Sequence, residues 1–123
     1  FPGKASLSFY EERLRHRVSL ALVALWDGEL AGFKVGYQSE LPEQFYSWMG
    51  GVLPEFQRKG IATALAEEQE RWAKEQGFTS IFLKTRNRFP GMIQFGIERG
   101  FKVVDLLPKG GVEDYRIVMR KEL

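Results

Sequence analysis

The segment VLPEFQRKGIATALAEEQERW, residues 52–72, constrains this chain more than any other. A strand-like run, FYSWMGGV, ends inside it, and a turn containing proline follows. Then Ile61, Ala62, Leu65, Ala66, Gln69, Trp72, Ala73 and Gln76 fall on one face at helical spacing. Glu67, Glu70 and Lys74 fall elsewhere, as a solvated face requires. Gly77 stands where a helix is expected to stop. The next run, TSIFLKT, is β-rich. A helix between two strands, with one apolar face to bury, points to an α/β layered fold.

The remaining chain fits that frame. Ser8 and Glu11 have capping-box spacing, and SFYEERLRHR reads as a short helix. VSLALVALW and LAGFKVGY are β-rich runs joined by Asp27-Gly28, a strong hairpin turn. Paired glycines, Gly50 and Gly51, at the end of the third strand suggest a bulge or a close backbone approach. NRFPGMIQFGIERG reads as a loop, a short helix and a glycine stop at Gly100, and FKVVDLL and DYRIVMRKEL are the last strands. The predicted order is helix, three strands, helix, strand, helix, two strands. Hairpins give antiparallel pairs and a helical crossover gives a parallel pair. A mixed, mostly antiparallel sheet with helices on both faces follows. The 123 residues suit a single domain, 1–123.

Gln57, Arg58, Lys59 and Gly60 stand at the mouth of the central helix. A helix N-terminus carries unpaired N–H groups and a partial positive charge, so basic side chains there are unfavourable unless an anion compensates. Glycine permits close backbone approach, and the set describes a phosphate site. The competing reading is a solvated basic loop with a turn glycine. The order Lys59-Gly60-Ile61 does not match the nucleotide-hydrolase phosphate loop, and a lone glycine does not make a dinucleotide fingerprint.

GGVLPEFQRKGIATAL resembles the acetyl-coenzyme A signature of the GCN5-related N-acetyltransferase (GNAT) family, with Gln57-Arg58-Lys59-Gly60-Ile61-Ala62 as the motif. NRFPGMIQFGIERGF resembles the family's second cofactor segment, from Asn87 through Phe95 to the closing Gly100-Phe101. The resemblance implies acetyl transfer from acetyl-CoA to a primary amine, by direct attack in a ternary complex and with no metal. It implies that main-chain groups around Arg58 to Ala62 hold the pyrophosphate. Gly50, Gly51, Val52 and Leu53 would border the pantetheine arm, and an N–H of that strand would polarise the thioester carbonyl. The family's usual first strand and helix are lacking in this reading. Many relatives carry a tyrosine that protonates the leaving thiolate, and Gly96 stands at that position here. The alternative is a CoA-binding regulatory or interaction domain with little or no transferase activity.

Few residues present themselves for the chemistry. Tyr46 shares a strand face with Trp48, and either could meet the acceptor, although a packed tyrosine is the commoner reading. Glu43 and Glu40 lie in the preceding loop and are weak candidates for a base; Glu43 and Tyr46 are the catalytic candidates retained. His16 is the single histidine, set between Arg15 and Arg17, and with no cysteine a zinc site is a poor bet. A net charge of +2 gives no strong case for nucleic acid. No apolar run approaches the roughly 18 residues of a membrane span. Absence of cysteine fits a reducing, cytoplasmic setting. The expected partner is a small-molecule amine or an amino group of a peptide or protein. The oligomeric state is left open, a homodimer included.

Overall fold

A computed structural model describes residues 13–15 and 17–123. The Ser8–Glu11 capping box and His16 lie outside the described residues; Arg13 and Leu14 are helical. The strands are β1 (Ser19–Trp26), β2 (Glu29–Gln38), β3 (Gln44–Val52), β4 (Ser80–Arg86), β5 (Lys102–Leu107) and β6 (Arg116–Glu122). Helix α1 (Ile61–Glu75) joins β3 to β4, and α2 (Pro90–Glu98) joins β4 to β5. The sheet order is β1-β2-β3-β4-β6-β5, with β3–β4 the one parallel pair among the described strands.

Local chemistry explains the connections. Asp27 (φ 50°) and Gly28 (φ 81°) both take left-handed backbone, as a two-residue hairpin turn matched to strand twist requires. Each long helix ends on Gly-Phe. Gly77 N–H donates to the Lys74 carbonyl and Phe78 N–H to that of Ala73, while Gly100 and Phe101 repeat the pattern on Ile97 and Gly96. These are Schellman stops, and both phenylalanines then enter the core.

Helices α1 and α2 share one face of the sheet, over a core of Phe45, Ala73, Phe78, Ile81, Leu83, Phe101, Ile117 and Met119. A second cluster, Ala31, Phe56, Ile61 and Leu65, fixes the start of α1 against β2. The expected helix stripe holds for Ile61, Leu65, Ala66, Gln69 and Ala73, while Trp72 is half-buried. Ala62 and Gln76 are exposed, because one faces the open helix mouth and the other is the C-cap. Across the sheet lie Tyr37, Tyr46, Trp48 and Phe82, with Arg13 and Arg17 set against Tyr37.

Candidate active site

The β3–β4 ladder covers only Gln44–Tyr46 against Ser80–Phe82. Beyond it the strands part. Val35 pairs with Met49 and Gly36 with Ser47, which leaves Trp48 as an extra residue, so the bulge sits at Trp48 and not at the glycine pair. A bulge bends and twists its strand, and here it turns β3 away from β4. The opening is a cleft of about 510 Å³ bounded by Ser47–Val52, Leu83, Lys84 and the α2 residues Gly91, Met92 and Phe95. The β4-facing edge of β3 has no ladder partner past Tyr46, so an extended polar chain can lie there as an added strand would. Gly50 fits this crowded wall: a Cβ there would sit 3.0 Å from the Phe33 carbonyl oxygen and 3.3 Å from Lys34 Cγ.

One end of the cleft meets the mouth of α1. Gly60 is its N-cap, in left-handed backbone at φ 80°, and no side chain caps the helix. The first main-chain bond into the helix is Ala64 N–H to the Gly60 carbonyl at 3.0 Å, so the preceding N–H groups face outward, as at any helix start. Arg58 also takes left-handed backbone, φ 63°, a conformation that costs a non-glycine residue about 1 kcal/mol. A hollow of about 200 Å³ lies over Arg58, Gly60, Ile61, Ala62 and Thr63, and shares Val52, Gln57 and Ala62 with the cleft. A Cβ on Gly60 would meet nothing within 4 Å, so it would project into that open space. Gln57 donates to the Val52 carbonyl at 3.3 Å and ties the turn to β3. Lys59 points its ammonium over the Trp26 ring, 5.0 Å from the centroid. The dipole and main chain, more than Lys59, thus make this mouth suited to phosphate.

The other end holds a residue that the sequence reading missed. Lys34, on β2, lines the inner end of the cleft and the small void beneath α1 and α2. Burial pushes its pKa below the ordinary 10.5; Glu70 opposes this and Arg99 adds to it. Glu70 is already committed, accepting from Arg99 at 3.0 Å and from Lys121 at 2.6 Å. It therefore staples α1 to α2 and β6 and is not the solvated residue its helix position suggested. Lys34 makes no hydrogen bond or ion pair with a described residue. A signal for it did exist: Gly32, Lys34 and Gly36 alternate on the face that α1 covers, which is an inward charge between two glycines.

Other candidates are placed as follows. Phe95 lines the cleft. Asn87 is not among the residues that line it, and its amide donates to the Val112 carbonyl at 2.9 Å. Leu53 lies just past β3, its N–H bonded to the Ala31 carbonyl at 2.8 Å. Tyr46 lies across the sheet, stacked on Phe82 with centroids 4.6 Å apart. Burial and then Tyr37 raise its pKa, against a smaller opposite pull from Arg13. Glu43 sits at the start of β3, away from the cleft, where its carbonyl accepts from Thr79 N–H. Trp48 lines the cleft, and its ring lies 5.1 Å from the Arg13 guanidinium carbon. Gly96 leaves no room for a ligand: a Cβ would come within 2.9 Å of Met119 Cε, so a core methionine occupies that place.

The acetyltransferase (GNAT) family model matches residues 2–101. The chain belongs to this family. An acetyltransferase of Pectobacterium atrosepticum is 31% identical over 101 residues, covering 81% of this chain and 70% of that protein. The GNAT fold is equally plain in solved structures. A GNAT-family protein from Desulfovibrio desulfuricans superposes with a TM-score of 0.84 at 20% identity, over 99% of this chain and 82% of its own. The PaiA N-acetyltransferase of Thermoplasma acidophilum, solved with coenzyme A, gives 0.74 at 23% identity, over 94% and 67%. At these identities the likeness concerns the fold. No helix of the described residues is long and apolar enough to cross a membrane.

Proposed function

We propose that this chain transfers an acetyl group from acetyl-CoA to a primary amine. The observation that carries the reading is one continuous path, from the open mouth of α1 along the unpaired edge of β3 to the inner end of the cleft. From Val52 back to Ser47 the strand offers about 17 Å, a length suited to the arm between a pyrophosphate and a thiol. The N–H groups at Gly60 to Thr63 would hold the pyrophosphate, and Gly50 to Val52 would border the arm. The amine nitrogen bonds to the acetyl carbon as the carbon–sulfur bond breaks, and the electron pair leaves on sulfur. The amine gives up one proton and the sulfur takes up one.

Lys34 is placed to supply the proton to sulfur. The cleft is lined by no carboxylate and no tyrosine; Lys34 and Lys84 are the ionisable groups among its described lining residues. A lowered lysine pKa lies closer to the ordinary thiol value of about 8.5, which favours transfer from ammonium to thiolate. The amine's proton passes to water, and Lys34 recovers its own from solvent. The lack of a carboxylate also keeps a second reading in play, a CoA-binding domain with little or no turnover.

Calorimetry with acetyl-CoA and a screen of thiol release against amines test both. Binding with amine-dependent release supports the transferase. Binding without release from any amine supports the second reading, and no binding refutes both.

A further inference from the structure

The face of the sheet opposite α1 and α2 carries a second hollow, of about 460 Å³, over Tyr37, Tyr46 and Phe82. Three cations border it. Arg13 donates through Nε to the Tyr37 hydroxyl at 2.9 Å and reaches over Trp48. Arg17 lies 4.8 Å from the Tyr37 ring centroid, and the Lys84 ammonium lies 5.5 Å from that of Tyr46. Glu40 is the one carboxylate among the described lining residues.

These three cations are held by rings and not by carboxylates. Arg71, Arg86, Arg88, Arg99, Arg120 and Lys121 each bind a carboxylate. Arg13, Arg17 and Lys84 have no carboxylate partner among the described residues. Aromatic faces hold them instead; beyond the Arg13 Nε–H given to Tyr37, their donors meet no carboxylate of the described residues and can serve a ligand. The hollow also communicates with the cofactor cleft. Lys84 lines both, and it stands where the β3–β4 ladder has opened. Lys84 lines a third hollow too, with Arg86, Lys109 and Arg116, so the positive charge continues along this face.

Resting on the acetyl-transfer reading, we propose that the acceptor is an amine that also carries an anionic group, carboxylate or phosphate, and that this group docks among Arg13, Arg17 and Lys84. The acceptor then approaches from the face opposite the cofactor helices, with its amine at Trp48 and its anion toward Tyr46. Two residues of strand separate those positions, so amine and anion are about 7 Å apart. Guanidinium groups present forked donors that match either anion. The aromatic floor suits an apolar linker between the two ends.

Equilibrium binding tests this without turnover. The probes are N-acetyl-γ-aminobutyrate, its primary amide and N-acetyl-aminopropyl phosphate, titrated by calorimetry with and without CoA. At least one anionic probe is expected to bind tenfold or more tighter than the amide, and to weaken as salt rises. The two anionic arms decide between carboxylate and phosphate. Arg17→Gln and Lys84→Gln change exposed residues and should each cut the anionic preference severalfold, and Arg17→Gln, which lies outside the cofactor cleft, should leave CoA affinity unchanged. Equal binding of all three probes would overturn the proposal, as would a preference that survives both variants. If CoA fails to bind yet the anionic preference is present, the hollow stands as an anion site and the transferase reading falls.

Discussion

Replacing Lys34 with methionine should make the protein more stable and less active. The ammonium is largely withdrawn from water and has no hydrogen bond or ion pair with a described residue. A fully buried donor left without a partner costs about 1–3 kcal/mol, and Lys34, which still meets the open cleft, falls at the low end, about 1 kcal/mol. Methionine is similar in length, flexible and uncharged, so it fills the same channel without that cost. Unfolding entropy of about 2.1 cal/mol/K per residue gives roughly 0.26 kcal/mol/K for 123 residues. The expected rise in Tm is therefore about 4 °C. The sign of the pH dependence is fixed by the lowered pKa. The unfolded chain binds this proton more tightly than the folded one, so the destabilisation is fully present below the folded-state pKa. It fades as pH rises to the unfolded value near 10.5. The stability gap between Lys34→Met and the parent should thus be largest below the folded-state pKa and shrink as pH rises toward 10.5. Urea melts across pH measure it. In the same variant acetyl-CoA should bind within about threefold of the parent, while kcat falls at least tenfold, about 1.4 kcal/mol. A variant less stable than the parent at neutral pH would refute the claim that the charge is a burden. Unchanged kcat would refute its role at the leaving sulfur.

Gly60→Val should weaken acetyl-CoA binding at least tenfold by calorimetry, because its side chain would project into the hollow at the helix mouth. It should also cost about 1–2 kcal/mol of stability, since φ 80° is left-handed. Tyr46→Phe should keep activity within about tenfold, because Tyr46 lines the far hollow and not the cofactor cleft; a hundredfold loss in kcat would restore it as a catalytic group. Glu70→Gln should lower stability by about 2 kcal/mol in urea melts, because the carboxylate binds both Arg99 and Lys121. Removing its charge should also lower the Lys34 pKa further, readable by NMR titration.

What the sequence revealed were features settled within a few residues. Asp27-Gly28, Gly77 and Gly100 each occupy backbone that glycine or a short polar residue takes most readily, and each sits where the pattern placed it. The stripe on α1 was readable because a helix repeats its buried face over four turns. Errors arose where distant parts of the chain decide. Glu70 was placed among solvated residues, but Arg99 and Lys121 lie 29 and 51 positions away. Of the two readings of the glycine pair, the close backbone approach holds at Gly50, which makes room for β2, while the register places the bulge at Trp48.

Gly96 shows how the two kinds of information combine. Position and motif mark it as the place where many relatives keep a tyrosine, and from that alone the gap could be space for a ligand. Met119 fills the space, so the glycine is there to let α2 approach β6. On the acetyl-transfer reading, the departing sulfur would then take its proton from water or from another group at the cleft. The void beneath the two helices is bordered by Gly96 and by Lys34 together. The lysine reaches that region from β2, beside a glycine that leaves room for its stem. Glu70 lies near enough to moderate its pKa but is held by Arg99 and Lys121. A lysine kept in such surroundings at a cost in stability is what selection for activity over stability would leave behind, and the proposed proton donation would tie the tyrosine's absence and the lysine's presence to one chemical need.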